Sequence, residues 1–101
     1  MSVSFSCCSC TLGYGMLLDL VDKLKEDHGV CFFNHPIEHL YKPNITPDNL
    51  KELLPFMEET IPKWEVSDDQ HDYDGYIKSW ALDFIEGAKK AIKSNKCITV
   101  T

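Results

Sequence analysis

Residues 2–33 read SVSFSCCSCTLGYGMLLDLVDKLKEDHGVCFF, and the way this stretch divides decides the expected fold. Ser2 to Ser6 alternates serine with Val3 and Phe5, the period-two pattern of a short strand with its apolar side chains on one face. Cys7 to Gly15 is rich in small residues and holds two glycines, which marks a connection. Met16, Leu17, Leu20, Val21 and Leu24 then recur at helical spacing with Asp19, Asp22, Lys23, Lys25 and Glu26 between them, the signature of an amphipathic helix. Gly29 stands where a left-handed C-terminal cap belongs, and Val30 to Phe33 is a continuous apolar run suited to a strand covered on both faces. Strand, helix and strand in this order predict a right-handed parallel unit whose helix packs on the sheet.

Downstream, Asn34 to Pro43 is expected to be a loop or one short turn. Thr46 and Pro47 mark a helix start, a capping hydroxyl followed by the imino acid favoured at the first helical position. Leu50, Leu53 and Leu54 give that helix a buried side, Pro55 is expected to kink or restart it, and Pro62 to stop it. From Tyr73 onward, Tyr73, Ile77, Trp80, Ala81, Phe84, Ile85, Ala88 and Ile92 fall on one helical face. Lys89, Lys90 and Lys93 complement the dipole of the last turns, and Ser94 to Lys96 end the helix. Cys97 to Thr101 alternates again, with Ile98 and Val100 inward as a closing strand. The expectation is a single small α/β domain over residues 1–101, with a three-stranded, at least partly parallel sheet and about three helices in the order β-α-β-α-α-β.

Composition narrows the function classes. The chain has 101 residues, 44% of them hydrophobic and 11% aromatic, which is globular rather than disordered composition. No stretch approaches the roughly 18 apolar residues that span a bilayer, and the first residues lack the basic start and apolar run of a signal peptide. With five cysteines, an odd number, three of them at Cys7, Cys8 and Cys10, reduced thiols and a cytoplasmic setting are expected. The net charge is −6 and all ten basic residues are lysines. A net-negative chain without the planar fork of arginine is a poor binder of nucleic acid or anionic membrane, and a basic protein partner is expected instead.

The charge is unevenly distributed. Residues 1–47 hold five acids and three lysines, residues 48–74 nine and two, and residues 75–101 two and five, giving net charges of −2, −7 and +3. In the middle section Glu65, Asp68, Asp69, Asp72 and Asp74 run into the start of the last helix beside Trp64, Tyr73 and Tyr76. Aromatics supply desolvated anchors and carboxylates steer a cationic partner, so these eight residues form the candidate partner-binding face. The competing reading gives Asp72 or Asp74 a helix-capping role and places Trp64 in the core.

Other motifs carry weaker chemistry. Asp72-Tyr73-Asp74-Gly75 has the letters of half a calcium loop, yet position one, Gln70, is not a carboxylate and position twelve is Ala81 instead of glutamate. His35-Pro36-Ile37-Glu38-His39 matches the inverted zinc-peptidase pattern, but Pro36 and Pro43 bracket too little helix to present both imidazoles; with Cys31 or His28 a structural zinc site is conceivable. Cys7 and Cys10 have the Cys-x-x-Cys spacing that thiol oxidoreductases of the thioredoxin and glutaredoxin type place between strand and helix, although no proline separates the pair and small buried cysteines are the default. Gly13-Tyr14-Gly15 lacks the partners of a phosphate loop. No metal or other cofactor is therefore expected. The function these features favour is a non-enzymatic inhibitor, an immunity protein or antitoxin that neutralises a nuclease-type toxin. A thiol-disulfide oxidoreductase using Cys7 and Cys10, or a phage-type anti-defence inhibitor, is the alternative.

Overall fold

Helices carry this fold, and short antiparallel strands close one side of it. The structure, a computed structural model, describes residues 2–7, 11–27, 36–65 and 72–101. Strands β1 (Ser2–Val3) and β2 (Leu12–Gly13) precede helix α1 (Tyr14–Asp27). A 3-10 helix over Pro36–Tyr41 leads to strand β3 (Asn44–Ile45), helix α2 (Pro47–Thr60) and a 3-10 turn over Ile61–Lys63. Helix α3 (Tyr73–Ser94) and strand β4 (Ile98–Thr99) complete the order.

Each helix buries the stripe its sequence spells. In α1, Leu17, Leu20, Val21 and Leu24 are buried, the i, i+3, i+4, i+7 set that lines one face of a 3.6-residue period. Helix α2 opens on a reciprocal cap: Asn49 donates its backbone N–H to Thr46 Oγ1 at 3.2 Å, and the Thr46 N–H donates to Asn49 Oδ1 at 3.3 Å. Two of the otherwise unpartnered first-turn donors are satisfied in this way. Its inward side is Leu50, Leu53, Leu54 and Met57. The restart allowed for at Pro55 does not occur, and α2 runs through it to Thr60. Pro55 and Lys51, the residue whose carbonyl would have received the missing hydrogen bond, are both exposed, so water can serve that carbonyl. The helix ends one turn later, where Pro62 enters the 3-10 turn.

Helix α3 buries Ile77, Trp80, Ala81, Phe84, Ile85 and Ala88 and ends at Asn95, whose φ of 54° is the left-handed cap conformation that asparagine tolerates. Helix α2 packs chiefly on α3, while the 3-10 helix bridges α1 and α2. Phe5 completes an aromatic cluster at their centre, edge-on to Trp80 at 5.0 Å and to Phe84 at 5.6 Å, with Trp80 and Phe84 stacked at 5.3 Å. The Trp80 indole N–H is buried without a hydrogen-bond partner among the described residues. Packing of this cluster is thus favourable enough to carry one unmet donor.

The expected parallel three-stranded α/β sheet is corrected by the pairing. Residues Ser2 and Val3 pair antiparallel with Gly13 and Leu12, so the chain returns on the first strand at Leu12–Gly13 before α1 begins, where a direct strand-to-helix connection was expected. The far end of the first strand pairs antiparallel with the end of the chain: Phe5 bridges Val100, Ser4 and Thr101 exchange both backbone hydrogen bonds at 2.9 Å, and the Ser6 N–H donates to the Thr99 carbonyl. Strand β4 pairs antiparallel with β3 on its other side, Ile45 opposite Ile98. The strands form two antiparallel pairs, β1-β2 and β3-β4, linked by the Phe5–Val100 bridge, and no parallel pair is present among the described residues. The strand expected at Val30–Phe33 lies outside them. The alternation in residues 2–6 was a sound sign of extended chain, but period two alone carries no information about partner or direction.

Candidate functional site

The candidate face is assembled where the N-terminus of α3 meets the solvent side of α1. Asp72 is the N-cap residue of α3, its backbone carbonyl accepting from the Tyr76 N–H at 2.7 Å, while its side chain makes no capping bond and stays exposed. Asp74 in the first turn and Glu65 beyond the 3-10 turn are exposed as well. Acids in a first turn are favoured by the helix dipole, which accounts for their presence there without using up their charge. None of the ion pairs between described residues, Lys25–Glu38, His39–Glu52 and Lys89–Glu58, involves Glu65, Asp72 or Asp74. Asp68 and Asp69 lie outside the described residues.

The aromatics divide into two roles. Tyr73 is exposed, and its hydroxyl donates to Asp19 Oδ2 on α1. That bond to a carboxylate holds the neutral phenol and raises the Tyr73 pKa above its ordinary value. Tyr76 is half-buried and donates its hydroxyl to the Thr11 carbonyl, tying α3 to the chain just before β2. Trp64, by contrast, is a buried side chain: its indole N–H donates to Asp27 Oδ2 at 2.9 Å, the Lys23 ammonium sits 5.1 Å from its ring centroid, and the Lys78 ammonium donates to its carbonyl at 3.1 Å. Its contribution to the face is to fasten α1 to the connection before α3.

A small crevice of about 40 Å³ between the helices is lined by Asp19, Lys23, Trp64 and Asp74 among others. Here the carboxylates of α1 and α3 converge, with Lys23 engaged on the indole face, a cation–π contact that leaves it where it also lowers the local negative potential. Beside it, a wider cleft of about 350 Å³ is lined by Asp27, Glu59, Thr60, Lys63 and Trp64. The sequence matches no protein-family model, no curated protein and no solved structure.

Asp19 and Asp27 escaped the sequence reading. Their partners lie 54 and 37 positions away, and no local pattern signals a bond at such separation. The remaining motifs fall out as follows. Cys7 is half-buried and packed against Gly87 of α3, with β2 intervening before the first residue of α1; Cys8 and Cys10 lie outside the described residues. His39 Nε2 lies 2.9 Å from Glu52 Oε2, and His28, Cys31 and His35 lie outside the described residues. Among the described residues no group of three or more histidine, cysteine or acidic side chains is placed to hold a metal ion. No helix among them is long and apolar enough to cross a membrane.

Proposed function

We propose that this chain is a non-enzymatic binding protein whose acidic face docks on a basic protein, acting as an immunity protein or antitoxin does when it caps the nucleic-acid cleft of a nuclease-type toxin. The observation that carries the reading is the exposure of Glu65, Asp72 and Asp74 around an exposed Tyr73, with no ion pair to any described lysine. Carboxylates left in water are already solvated, so they gain little for the fold and much for long-range attraction of a cationic surface. Tyr73, pre-positioned by Asp19, offers a ring that loses little freedom on becoming an anchor. A cleft built to bind phosphates presents lysines and arginines, and carboxylates spaced over two helices answer them without chemistry of their own.

The test combines Glu65→Lys, Asp72→Lys and Asp74→Lys and follows association with the basic protein that co-purifies with the native chain. Because Asp72 and Asp74 sit at a helix start, the neutral set Glu65→Gln, Asp72→Asn and Asp74→Asn controls for folding. At low salt the reversed variant is expected to associate about tenfold or more slowly, with the difference shrinking at high salt. The native chain is expected to abolish the partner's nuclease activity at equal stoichiometry. Equal association rates at low salt would remove the acidic face from consideration, and unimpaired nuclease activity in the complex would remove the inhibitor reading.

A further inference from the structure

On the other edge of α1 lies a groove of about 600 Å³. Val3, Leu40 and Val100 line its walls, and Tyr14, Leu18 and Tyr41 stand at its rim. These three are 47%, 37% and 38% exposed, and they make up three of the four large hydrophobic side chains left exposed among the described residues. Apolar residues scattered singly over a surface need no explanation, but their convergence on one concavity marks an interaction site. The groove is open to solvent along one side and large enough to seat one bulky side chain. Val3 and Val100 are half-buried there, packed against the core from the paired ends of the first and last strands.

The charges around the groove select its occupant. Its one cation, Lys25, is spent on Glu38 in an ion pair at the wall. Asp22 is exposed and in no ion pair with a described residue. The Tyr41 hydroxyl is pushed up to about 12 by burial first, then by Glu38, Asp22 and Tyr14. On α1, Asp22 is one turn from Leu18 and lies beside Asp19, the residue that holds Tyr73. Asp22 and Asp19 thus lie along the solvent side of α1 between the groove and the acidic face, with Lys23 beside them.

We infer that this groove receives a large apolar side chain flanked by lysine or arginine on the same basic partner, so that Tyr14, Leu18 and Tyr41 grip the apolar group while the unpaired Asp22 faces its cationic neighbour. This rests on the docking reading above and adds a second, apolar contact to it. An anchor buried in a pocket and ringed by complementary charge is the arrangement that concentrates binding energy in a few residues.

The probe is a capped Lys-Lys-Leu-Phe-Lys-Lys peptide titrated into the full chain, with backbone amide shifts read by NMR. Shifts are expected at Tyr14, Leu18, Tyr41 and Val100, and Leu18→Gln, at a position already partly in water, is expected to weaken binding about fivefold with an unchanged melting temperature. Two further peptides separate the outcomes. If Lys-Lys-Ser-Ser-Lys-Lys binds as well and shifts only residues near Tyr73 and Asp74, the groove is not an anchor site and the acidic face stands alone. If Glu-Glu-Leu-Phe-Glu-Glu enters the groove as tightly as the basic peptide, the charge assignment is overturned. Absence of any shift with the lysine peptide sinks both sites together.

Discussion

The Tyr41 phenol makes the local field around the groove measurable. Burial and the neighbouring carboxylates Glu38 and Asp22 disfavour its ionised form, and its pKa moves from 10.0 to about 12. The folded state therefore holds this proton after the unfolded state has lost it. Stability from Tyr41 is fully present below the unfolded value and drains away as pH rises from about 10 to about 12, because unfolding then releases a proton. Absorbance titration of the folded protein is expected to show a tyrosinate phase near pH 12 that Tyr41→Phe abolishes, and added salt is expected to lower its midpoint by screening the two carboxylates. A Tyr41→Phe profile identical to that of the native chain would contradict this placement. The residue scale is also where sequence reading had least to work with. Exposure of Asp72 and Asp74 follows from their position at a helix start, whereas the bonds of Tyr73 to Asp19 and Trp64 to Asp27 depend on how α1 packs against its neighbours.

At the scale of elements, the helices were legible and the sheet was not. Most positions that the periodicity marks in α1, α2 and α3 are buried, since a 3.6-residue pattern sustained over several turns has few other solutions; at the ends the stripe frays, with Tyr73 exposed and Met16 and Ile92 half-buried. The start of α2 shows the same agreement in a single cap. Thr46→Ala removes the acceptor of the Asn49 N–H and is expected to lower stability by about 1 kcal/mol in urea unfolding, with Thr46→Ser retaining most of it. Strands of two residues supply no comparable signal. Leu12–Gly13 looks like part of a glycine-rich connection until its pairing with Ser2–Val3 is seen, and residues 2–6 and 98–101 have nothing in their own sequences that matches one to the other. Their partnership is decided by the helices, which bury Phe5 and Ile98 in the same cluster.

For the molecule as a whole, the contact between the first strand and the last helix is the joint on which the closure depends. A Cβ placed on Gly87 would lie 2.7 Å from both Cys7 Cβ and the Cys7 carbonyl oxygen, so one of the two elements must move. Gly87→Ala is expected to cost about 1–3 kcal/mol in thermal unfolding despite the better helix propensity of alanine. Gly15→Ala in α1, where an added Cβ meets nothing within 4 Å, is expected to gain up to about 1 kcal/mol. If both substitutions proved equally harmless, the close approach of Cys7 to α3 would be wrong. The two glycines thus separate crowding between elements from the intrinsic preference of a helix.

The reciprocal hydrogen bonds between Ser4 and Thr101 have a consequence for biosynthesis. As the polypeptide emerges from the ribosome, Ser4 and its neighbours stay unpaired along that edge until residues 98–101 have been made. The three helices can condense beforehand on their own contacts, and this pairing then closes the long loop between residues 4 and 101. Any nascent product stalled before Ile98 would display Val3, Phe5 and an open backbone edge to its neighbours, the kind of surface that invites clumping and draws quality-control machinery.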